Sequence, residues 1–585
     1  MFNMPSLLLL LLPTLAACSS SSVWPPSAYT AALEMLSQLS DAEKVQLVSG
    51  QNANYQRCQD KSCSYVGWVP GLPTVGLSAL YLEDGPQGVA DGLRSVTAFP
   101  SAMTVAQAWN PALMQAWGAA MGAEQSGKGV NVMLGPAVAL VRVPWGGRNF
   151  EYLSEDPVLN SLLTAPLVTG IQSNNISACV KHWIFGSQEA NRTTMSANVA
   201  EGVGRELYMP PYKAAVDAGV GSVMCSFQRI NNTWSCANSH WLTDVLKGEL
   251  GFDGFVVSDW GAAHGTAASL ALGGLDMEQE WQQNSTFYGA SLLAAVQAGQ
   301  VSRTRLNDMA GRVLLAMHAL NFTAEPPAAA NASAAVNSTA HAQLALDLAR
   351  ASLVLLKNAD TGAGPLAPLQ PGGLSRGLTV FDVAGSLISG GGSGSVVAPF
   401  VVSPAAGIAA AFGDGVAVVQ AGTSNLTAAA AAAAASDASI VIVGIHSGEG
   451  SDRANLSLGS GQDELIAAIA AAQPNTIVVL RCPGACLMPW IDAVPVVFNR
   501  EWEVGRGGLA VASRGPLSLS LSLSLSLSAS LTHLLCLRPL PSPPPFQSST
   551  QGRLLAQPWG RPWLGSSPLA ASSQCPSLAA WRTRG

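Results

Sequence analysis

The residues best placed to do chemistry lie in residues 251–277, where a short apolar run ends on an aspartate. Residues 255–257 are too few for a helix and rich in β-branched side chains, which indicates a buried strand. Asp259 follows this strand closely, and glycine, alanine and histidine residues then continue as a loop. In a parallel α/β barrel the carboxyl ends of the strands carry the chemistry. Asp259 is therefore a candidate catalytic carboxylate, although a single Ser-Asp-Trp is more often a helix cap or an ion-paired loop residue.

The same pattern recurs along the first half of the chain. Short apolar runs end on polar residues and are followed by a loop or a helical segment, at residues 80–82, 131–134, 177–180, 221–224 and 255–257. Strands that alternate with helices favour a parallel sheet. We therefore expect an α/β fold that begins with a (β/α) TIM-like barrel over residues 28–320.

A second domain is expected after residues 321–345, whose Ala, Pro, Asn and Ser content is typical of an exposed linker. Short apolar runs then alternate with alanine-rich segments such as residues 428–435. The runs lie at residues 353–358, 378–381, 439–444 and 476–480. This alternation predicts a three-layer α/β sandwich domain over residues 346–503.

A series of longer motifs runs through both predicted domains. They are, in order, Asp84-Gly-Pro-Gln-Gly-Val, Arg142-Val-Pro-Trp-Gly-Gly-Arg-Asn-Phe-Glu-Tyr-Leu-Ser-Glu-Asp-Pro, Lys181-His182, Ser222-Val-Met-Cys-Ser, Ser258-Asp-Trp, Gly274-Leu-Asp-Met, Ser352-Leu-Val-Leu-Leu-Lys-Asn and Gly448-Glu-Gly-Ser-Asp-Arg. Together they resemble the motifs of glycoside hydrolase family 3, and in particular of its extracellular β-glucosidases. The block that begins at Arg142 is the most specific of them.

The resemblance implies hydrolysis of a glycosidic bond with retention of configuration. This reaction needs an ionised carboxylate as nucleophile and a protonated carboxylic acid about 5 to 5.5 Å away. By resemblance, Asp259 is the nucleophile and Glu449 is the acid/base. Because Glu449 belongs to the second predicted domain, the active site is expected in an interdomain cleft. A surface glutamate that pairs with Arg453 is the alternative interpretation of Glu449.

The resemblance also implies a set of residues that bind the nonreducing sugar: Asp84, Arg148, Lys181, His182, Met224 and Trp260. Asp84 would accept hydrogen bonds from sugar hydroxyls, and Trp260 offers an aromatic face for a pyranose ring. Each also has a structural alternative. Asp84 fits an Asp-Gly-Pro turn, Arg148 an ion pair with Glu151, and His182 a satisfied core histidine.

The expected activity is release of β-D-glucose from the nonreducing end of β-glucosides and cello-oligosaccharides. Alternatives are a β-xylosidase or arabinofuranosidase of the same family, and an inactive carbohydrate-binding product of a damaged gene model. An N-acetylhexosaminidase is disfavoured, since the His-Asp loop of that branch is not visible after His182. Phe227 is a departure, because β-glucosidases commonly carry there a tyrosine whose hydroxyl reaches the nucleophile. The segment 444–464 is compact, which predicts a more open acceptor side.

Composition limits the partners. The chain has 585 residues, a net charge of −7 and 11% charged residues, which is too weak a charge for electrostatic capture of nucleic acid. We expect a small-molecule or oligosaccharide substrate, no cofactor and no metal, since no cysteine cluster has convincing zinc spacing.

The N-terminus predicts secretion. Residues 1–18 resemble a signal peptide, with a leucine run too short to span a bilayer and small residues before Cys18. We expect an extracellular or cell-wall protein that has no membrane segment after cleavage. Glycosylation sequons support this, at Asn175, Asn191, Asn231, Asn284, Asn321, Asn331, Asn337, Asn425 and Asn455.

Close cysteine pairs occur among the ten cysteines. In an oxidising compartment, Cys58–Cys63 and Cys225–Cys236 are interpreted as small loop disulfides. The pair Cys225–Cys236 is expected to fix the loop beside Met224. Cys482 and Cys486 form a third close pair.

The segment 504–585 does not resemble the end of a sandwich domain. Alternating Leu-Ser over residues 517–528 and a proline-rich stretch give a low-complexity tail that we expect to be disordered. Leu-Ser alternation is what a CT dinucleotide repeat encodes. A retained intron followed by a frameshifted exon is therefore our hypothesis for this tail.

Overall fold

The computed structural model describes residues 23–51, 65–280, 287–324, 330–360, 362, 364–385 and 389–499. Some predictions lie outside these residues, namely the signal peptide over residues 1–18, the pair Cys58–Cys63, the sequon at Asn284 and the aberrant tail over residues 504–585. In the described part of the chain, no helix combines the length and the apolar character needed to cross a bilayer.

The strands of these residues are β1 (Gly67–Val69), β2 (Leu80–Asp84), β3 (Val132–Leu134), β4 (Ser177–Trp183), β5 (Ser196–Ala197), β6 (Ser222–Cys225), β7 (Arg229–Ile230), β8 (Thr233–Trp234), β9 (Phe255–Ser258), β10 (Val354–Asn358), β11 (Leu378–Asp382), β12 (Val418–Gln420), β13 (Ala438–Gly444), β14 (Thr476–Arg481) and β15 (Val496–Asn499). The α-helices span Pro26–Gln38, Asp41–Leu47, Ala102–Ala106, Pro111–Gly127, Pro157–Gln172, Glu201–Val203, Pro210–Asp217, Ala267–Gly273, Ala290–Gln297, Arg303–Ala319, Thr339–Ala351, Pro404–Phe412, Leu426–Ala434 and Gln462–Ala472. The π-helical segments span Gly204–Tyr208 and His240–Glu249.

The first domain is barrel-like, as the alternating pattern predicts. Strands β2, β3, β4, β6 and β9 are parallel neighbours in this order, and β1 pairs antiparallel with β2. Single bridges continue from β9 back to β1, in the order Val257–Met277, Glu278–Ser49 and Gln51–Trp68. The sheet therefore curls round to its own first strand. All five predicted runs of this domain form strands.

The parallel strands bring the candidate side chains to one edge. Asp84 ends β2, Lys181 and His182 lie near the carboxyl end of β4, and Asp259 follows β9. The strand residues behind them, such as Val223 and Val256, are fully buried in one large apolar core. Since carboxyl ends of parallel strands share one edge, this core fixes where the polar side chains emerge.

The second domain is the predicted α/β sandwich. Its sheet has the order β10–β15–β14–β13–β11–β12, in which only β10 runs antiparallel to its neighbour. Along β13, Ile440 and Ile442 pack in one apolar cluster, whereas Val441 and Val443 pack in another. Helices therefore cover both faces of this sheet, which explains why its strands are apolar runs without alternation.

The segment between the domains differs from the prediction of an exposed linker over residues 321–345. The helix Thr339–Ala351 begins inside that segment, and Ser338 caps it by accepting from the His341 N–H. Its Ala345 and Leu348 join the barrel core. The apolar face of this helix packs on the barrel because Ala and Leu recur at helical spacing within it.

Candidate active site

Asp259 presents one carboxylate oxygen without a hydrogen bond. Its Oδ1 accepts from the Trp260 backbone N–H at 2.8 Å, whereas Oδ2 is buried and has no hydrogen-bond partner among the described residues. His182 Nε2 lies 3.5 Å from Oδ2. Burial raises the pKa of Asp259 to about 7; the Glu449 charge adds to this rise, and Arg148 opposes it. A carboxylate with an uncommitted oxygen at the end of a barrel strand has the form of a nucleophile.

Strand β4 supplies two adjacent polar side chains to the same edge. Lys181 Nζ donates to Asp84 Oδ1 at 3.2 Å, and both side chains are almost completely buried. Burial raises the pKa of Asp84 to about 8, against the opposing Lys181 charge. Burial, with Arg148 and Lys181 nearby, holds the pKa of His182 well below its usual range. His182 is therefore neutral, and its contact with Asp259 is not an ion pair.

Arg148 lies in the loop after β3 and is 4% exposed. Its Nε and Nη2 atoms donate to the two oxygens of Glu151 at 2.7 and 2.8 Å, so the structural alternative for Arg148 is present. Nη2 also donates to Ser393 Oγ at 3.0 Å, and Nη1 lies 3.3 Å from Glu449 Oε1. Arg148 thus makes both contacts, one within the barrel and one across to the sandwich domain.

Glu449 lies in the loop of residues 445–453, which follows β13 and is called here the Glu449 loop. The glycine-rich turn of residues 389–394 packs against it. Ser393 N donates to Glu449 Oε2 at 2.9 Å, and a Cβ on Gly392, where φ is +84°, would lie 2.3 Å from Glu449 Cβ. The absence of a side chain at Gly392 is therefore what lets the turn approach Glu449.

Two arginines determine the charge of Glu449. Arg192 Nη1 donates to Glu449 Oε1 at 2.8 Å, in addition to the Arg148 contact. Burial favours the neutral acid, but Arg148, Arg192 and the Ser393 N–H together outweigh it and hold the pKa of Glu449 well below its usual range. Glu449 is therefore ionised in this arrangement.

The Glu449 loop contacts the barrel through backbone groups as well as side chains. Asp452 Oδ1 accepts from Gly147 N at 3.0 Å and from Glu189 N at 2.9 Å, and Oδ2 accepts from Ala190 N at 2.8 Å. Ser447 Oγ donates to the Gly147 carbonyl. Both domains lie in one compact unit of the chain. These contacts place Glu449 against the barrel edge that carries Asp259.

Two family models match the chain. A model of the glycosyl hydrolase family 3 N terminal domain matches residues 50–316, and a model of the glycosyl hydrolase family 3 C-terminal domain matches residues 353–513. The chain belongs to glycosyl hydrolase family 3. The second match ends at residue 513, beyond the predicted end of the sandwich domain at residue 503.

Relatives and solved structures agree with this assignment. The chain is 37% identical over 537 residues to a probable β-glucosidase L of Aspergillus terreus, with 86% of this chain and 71% of the relative covered. A β-glucosidase structure from Chaetomella raphigera is 31% identical in sequence, with a TM-score of 0.76. The match covers 88% of this chain and 72% of the Chaetomella chain. A β-D-glucoside glucohydrolase structure from Trichoderma reesei is 30% identical in sequence, with a TM-score of 0.76. The match covers 87% of this chain and 72% of the Trichoderma chain. The protein is a β-glucosidase-like glycoside hydrolase, of a family in which retention is typical.

The structure brings together most of the predicted family 3 site residues. Arg148, Lys181 and Glu449 all act electrostatically on Asp259. Met224 is buried on β6, and Trp260 is 4% exposed and donates through Nε1 to the Val66 carbonyl at 3.2 Å. Their contribution to sugar binding stays a prediction.

Other expectations were wrong or incomplete. Glu449 does not pair with Arg453, whose Nη2 donates to the Pro144 and Ala485 carbonyls at 2.6 and 2.9 Å. The motifs missed Arg192, Glu189 and Ser393, and they gave no role to Asp452, which lies inside the last motif of the series. Arg192 is the middle residue of the Asn191 sequon, in an irregular loop after β4, and no local pattern marks its contact with a residue of the other domain.

The disulfide prediction for the loop beside Met224 is confirmed. Cys225 and Cys236 are bonded, with Cα atoms 5.3 Å apart, and Cys482 and Cys486 form a second disulfide. Within the described segments, no group of three or more His, Cys, Asp and Glu side chains is arranged so that it could hold a metal ion.

Proposed function

We propose that this family 3 enzyme is a retaining β-glucosidase that releases β-D-glucose from the nonreducing end of β-glucosides and cello-oligosaccharides. Asp259 would attack the anomeric carbon, and Glu449 would protonate the leaving oxygen and then activate water. The observation that carries the proposal is the placement of Glu449, from the sandwich domain, over the barrel edge where Asp259 has an uncommitted oxygen.

The proton count of the pair supports this chemistry. Below about pH 7 Asp259 is protonated and Glu449 is ionised, so the coupled pair carries one proton in total. The first step of a retaining reaction needs the same number, with the proton on the acid/base. The proton must therefore move from Asp259 to Glu449 before glycosylation. Any group that weakens the contacts of Arg148 and Arg192 with Glu449 raises the pKa of Glu449 and so favours this transfer.

The polar residues beside Asp259 suit a sugar. Asp84 and Lys181 offer an acceptor and a charged donor that are fixed by their own contact at 3.2 Å. Residues 83–88, Glu-Asp-Gly-Pro-Gln-Gly, resemble the form that this motif has in the family's β-glucosidases, which favours glucosides over xylosides. The relatives are themselves named β-glucosidases.

Secretion is part of the proposal. The sequon asparagines in the described residues are all exposed: Asn175, Asn191, Asn231, Asn321, Asn331, Asn337, Asn425 and Asn455. Exposed asparagines that can accept glycans, together with the disulfides, are compatible with a secreted glycoprotein. Enzymatic removal of N-linked glycans from the protein purified from culture medium should lower its apparent mass. An unchanged mass together with a cytoplasmic location would contradict the proposal of secretion.

A substrate panel tests the activity. The full chain is assayed with 4-nitrophenyl β-D-glucoside, β-D-xyloside, α-L-arabinofuranoside and N-acetyl-β-D-glucosaminide, and with cellobiose. We expect the highest kcat/KM on the glucoside, and NMR of the first product should show β-glucose. A preference for the xyloside or arabinofuranoside would support the alternative within the family. No hydrolysis of any substrate would support an inactive carbohydrate-binding protein, and α-glucose as first product would exclude retention.

A further inference from the structure

Arg192 connects the two domains at the candidate acid/base. Its Nη1 atom donates both to Glu189 Oε2 of the barrel and to Glu449 Oε1 of the sandwich domain, at 2.8 Å in each case. Glu189 Oε2 also accepts from the Gly450 N–H at 2.8 Å. Two kinds of contact thus join the barrel loop that carries Arg192 to the Glu449 loop. One is the Arg192 bridge between two carboxylates, and the other is the hydrogen bond from the Gly450 backbone N–H to the Glu189 side chain.

Phe227 supports the guanidinium from the barrel side. The Arg192 Cζ atom lies 4.4 Å from the centroid of the Phe227 ring, a cation–π distance. The ring therefore helps to keep the arginine directed at Glu449. Phe227 is also the residue at which this chain departs from the family's usual tyrosine.

The two arginines on Glu449 differ in freedom. Arg148 has a side chain that is 4% exposed and makes a two-point contact with Glu151, so it is fixed. Arg192 has a side chain that is 20% exposed and shares a single nitrogen between two carboxylates. If Glu449 exchanges one partner for a leaving-group oxygen, Arg192 is the partner that can give way.

We propose that Arg192 is a positioning residue, which directs the Glu449 carboxyl at the barrel edge and stabilises its ionised form until a leaving-group oxygen replaces the contact. The proposal rests on the acid/base role proposed for Glu449. In its first step the acid must hold a proton, and it must be ionised to activate water in the second. A cation that leaves and returns fits both requirements.

The charged and titratable groups that interact with Glu449 come from several elements, namely Asp84 of β2, Arg148 and Tyr152 after β3, Lys181 and His182 of β4, Glu189 and Arg192 after β4, and Asp259 after β9. Removal of Arg192 leaves Arg148 and Lys181 as cations. The pKa of Glu449 must then rise, and that of Asp259 rises as well, because Arg192 lowers both.

The test is the pH profile of kcat/KM on 4-nitrophenyl β-D-glucoside. The alkaline limb reports the group that must be protonated. In Arg192→Gln we expect this limb to move to higher pH by about one unit, since a neighbouring charge shifts a pKa by about 1 to 3 units. Arg192→Lys keeps the charge and should restore most of the wild-type profile. Arg192→Met, whose thioether can pack on Phe227, gives a second neutral variant if Arg192→Gln does not fold.

Leaving-group dependence provides the second readout. If Glu449 is no longer positioned, the rate of hydrolysis of phenyl β-D-glucoside should fall by about 10-fold more than that of 2,4-dinitrophenyl β-D-glucoside. This is a part of the roughly 10²- to 10⁴-fold acceleration that general acid catalysis supplies. Arg205→Gln is the matched control, because Arg205 also bridges two glutamates but lies outside the site. An alkaline limb that stays at the wild-type pH in a folded neutral variant overturns the proposal, whatever the loss of rate. Absence of wild-type hydrolysis would instead refute the proposed function.

Discussion

Replacement of Glu449 by alanine is the sharpest test of the proposed acid/base. The substitution removes the carboxylate that contacts Arg148, Arg192 and the Ser393 N–H. Arg148 keeps Glu151 as a partner and Arg192 keeps Glu189, so no cation is left unpaired. The cost in unfolding free energy should therefore be about 1 to 2 kcal/mol, below the 3 to 5 kcal/mol expected when a buried charge loses its only partner.

The catalytic effect should depend on the leaving group. A poor leaving group needs the acid, so hydrolysis of phenyl β-D-glucoside should fall by about 10² to 10⁴-fold. With 2,4-dinitrophenyl β-D-glucoside the first step needs little acid assistance and should survive. Azide should then accelerate turnover and yield β-glucosyl azide, because an anionic nucleophile needs no general base.

The pH dependence of this variant has a defined sign. Besides burial, the Glu449 charge raises the pKa of Asp259, so loss of that charge lowers the pKa of Asp259. With 2,4-dinitrophenyl β-D-glucoside the variant should therefore lose the alkaline limb of kcat/KM and show an acid limb below about pH 7, where Asp259 becomes ionised. In the wild type, the depressed pKa of Glu449 contributes stability that is present above its unfolded pKa and is lost as pH falls. The difference in stability between wild type and variant should therefore shrink on acidification.

The control is Glu464→Ala, an exposed glutamate of the same domain in the helix Gln462–Ala472. This variant should keep wild-type kinetics and stability. An equal loss of rate for both aryl glucosides, with no azide product, would show that another residue is the acid.

The remaining predictions concern the barrel. Asp259→Asn should abolish turnover but leave the unfolding midpoint equal or higher, because the buried Oδ2 accepts no hydrogen bond from the described residues; residual activity near wild type would refute the assignment of Asp259 as nucleophile. Phe227→Tyr should lower the pKa of Asp259 if the new hydroxyl donates to this carboxylate, and should then move the alkaline limb of kcat/KM, where the pair loses its one proton, to lower pH; an unchanged limb would show that the hydroxyl does not donate. Asp276 is fully buried and pairs with Lys247 and Arg305, at 2.7 and 2.8 Å. Asp276→Asn should therefore lower the unfolding free energy in urea by about 3 to 5 kcal/mol, and a loss below about 1 kcal/mol would contradict this.

Local patterns were sufficient for the strands and for the residues at their ends. Runs of β-branched residues form strands because few other conformations bury them so well, and the polar residue after each run falls at the sheet edge. Asp84, Lys181, His182 and Asp259 were predictable for this reason. The barrel was also predicted, but the bridges through which its sheet returns from β9 to β1, such as Val257–Met277, were not, because isolated bridges leave no run of apolar residues in the sequence.

Contacts between distant segments were beyond the reach of sequence patterns. Arg192 and Glu449 are 257 residues apart and become neighbours only when the domains dock. The same holds for Ser393, whose backbone N–H reaches Glu449 because Gly392 lacks a side chain. Arg453 was a plausible partner of Glu449 because it is close in sequence. Its guanidinium instead donates hydrogen bonds to the carbonyls of Pro144 and Ala485.

The compact Glu449 loop explains how a short segment can still position an acid precisely. Ser447 and Asp452 flank Glu449 in sequence, and both bind backbone groups of the barrel. A Cβ on Gly147 would lie 2.0 Å from the Ser451 carbonyl, so the two loops touch backbone to backbone. The backbone approach of Gly147 to Ser451 does not depend on rotamers, and the contacts of Ser447 and Asp452 hold the loop on both sides of the Glu449 carboxyl. The position of Glu449 over the barrel is therefore a property of domain docking, whereas its charge is set by Arg148 and Arg192.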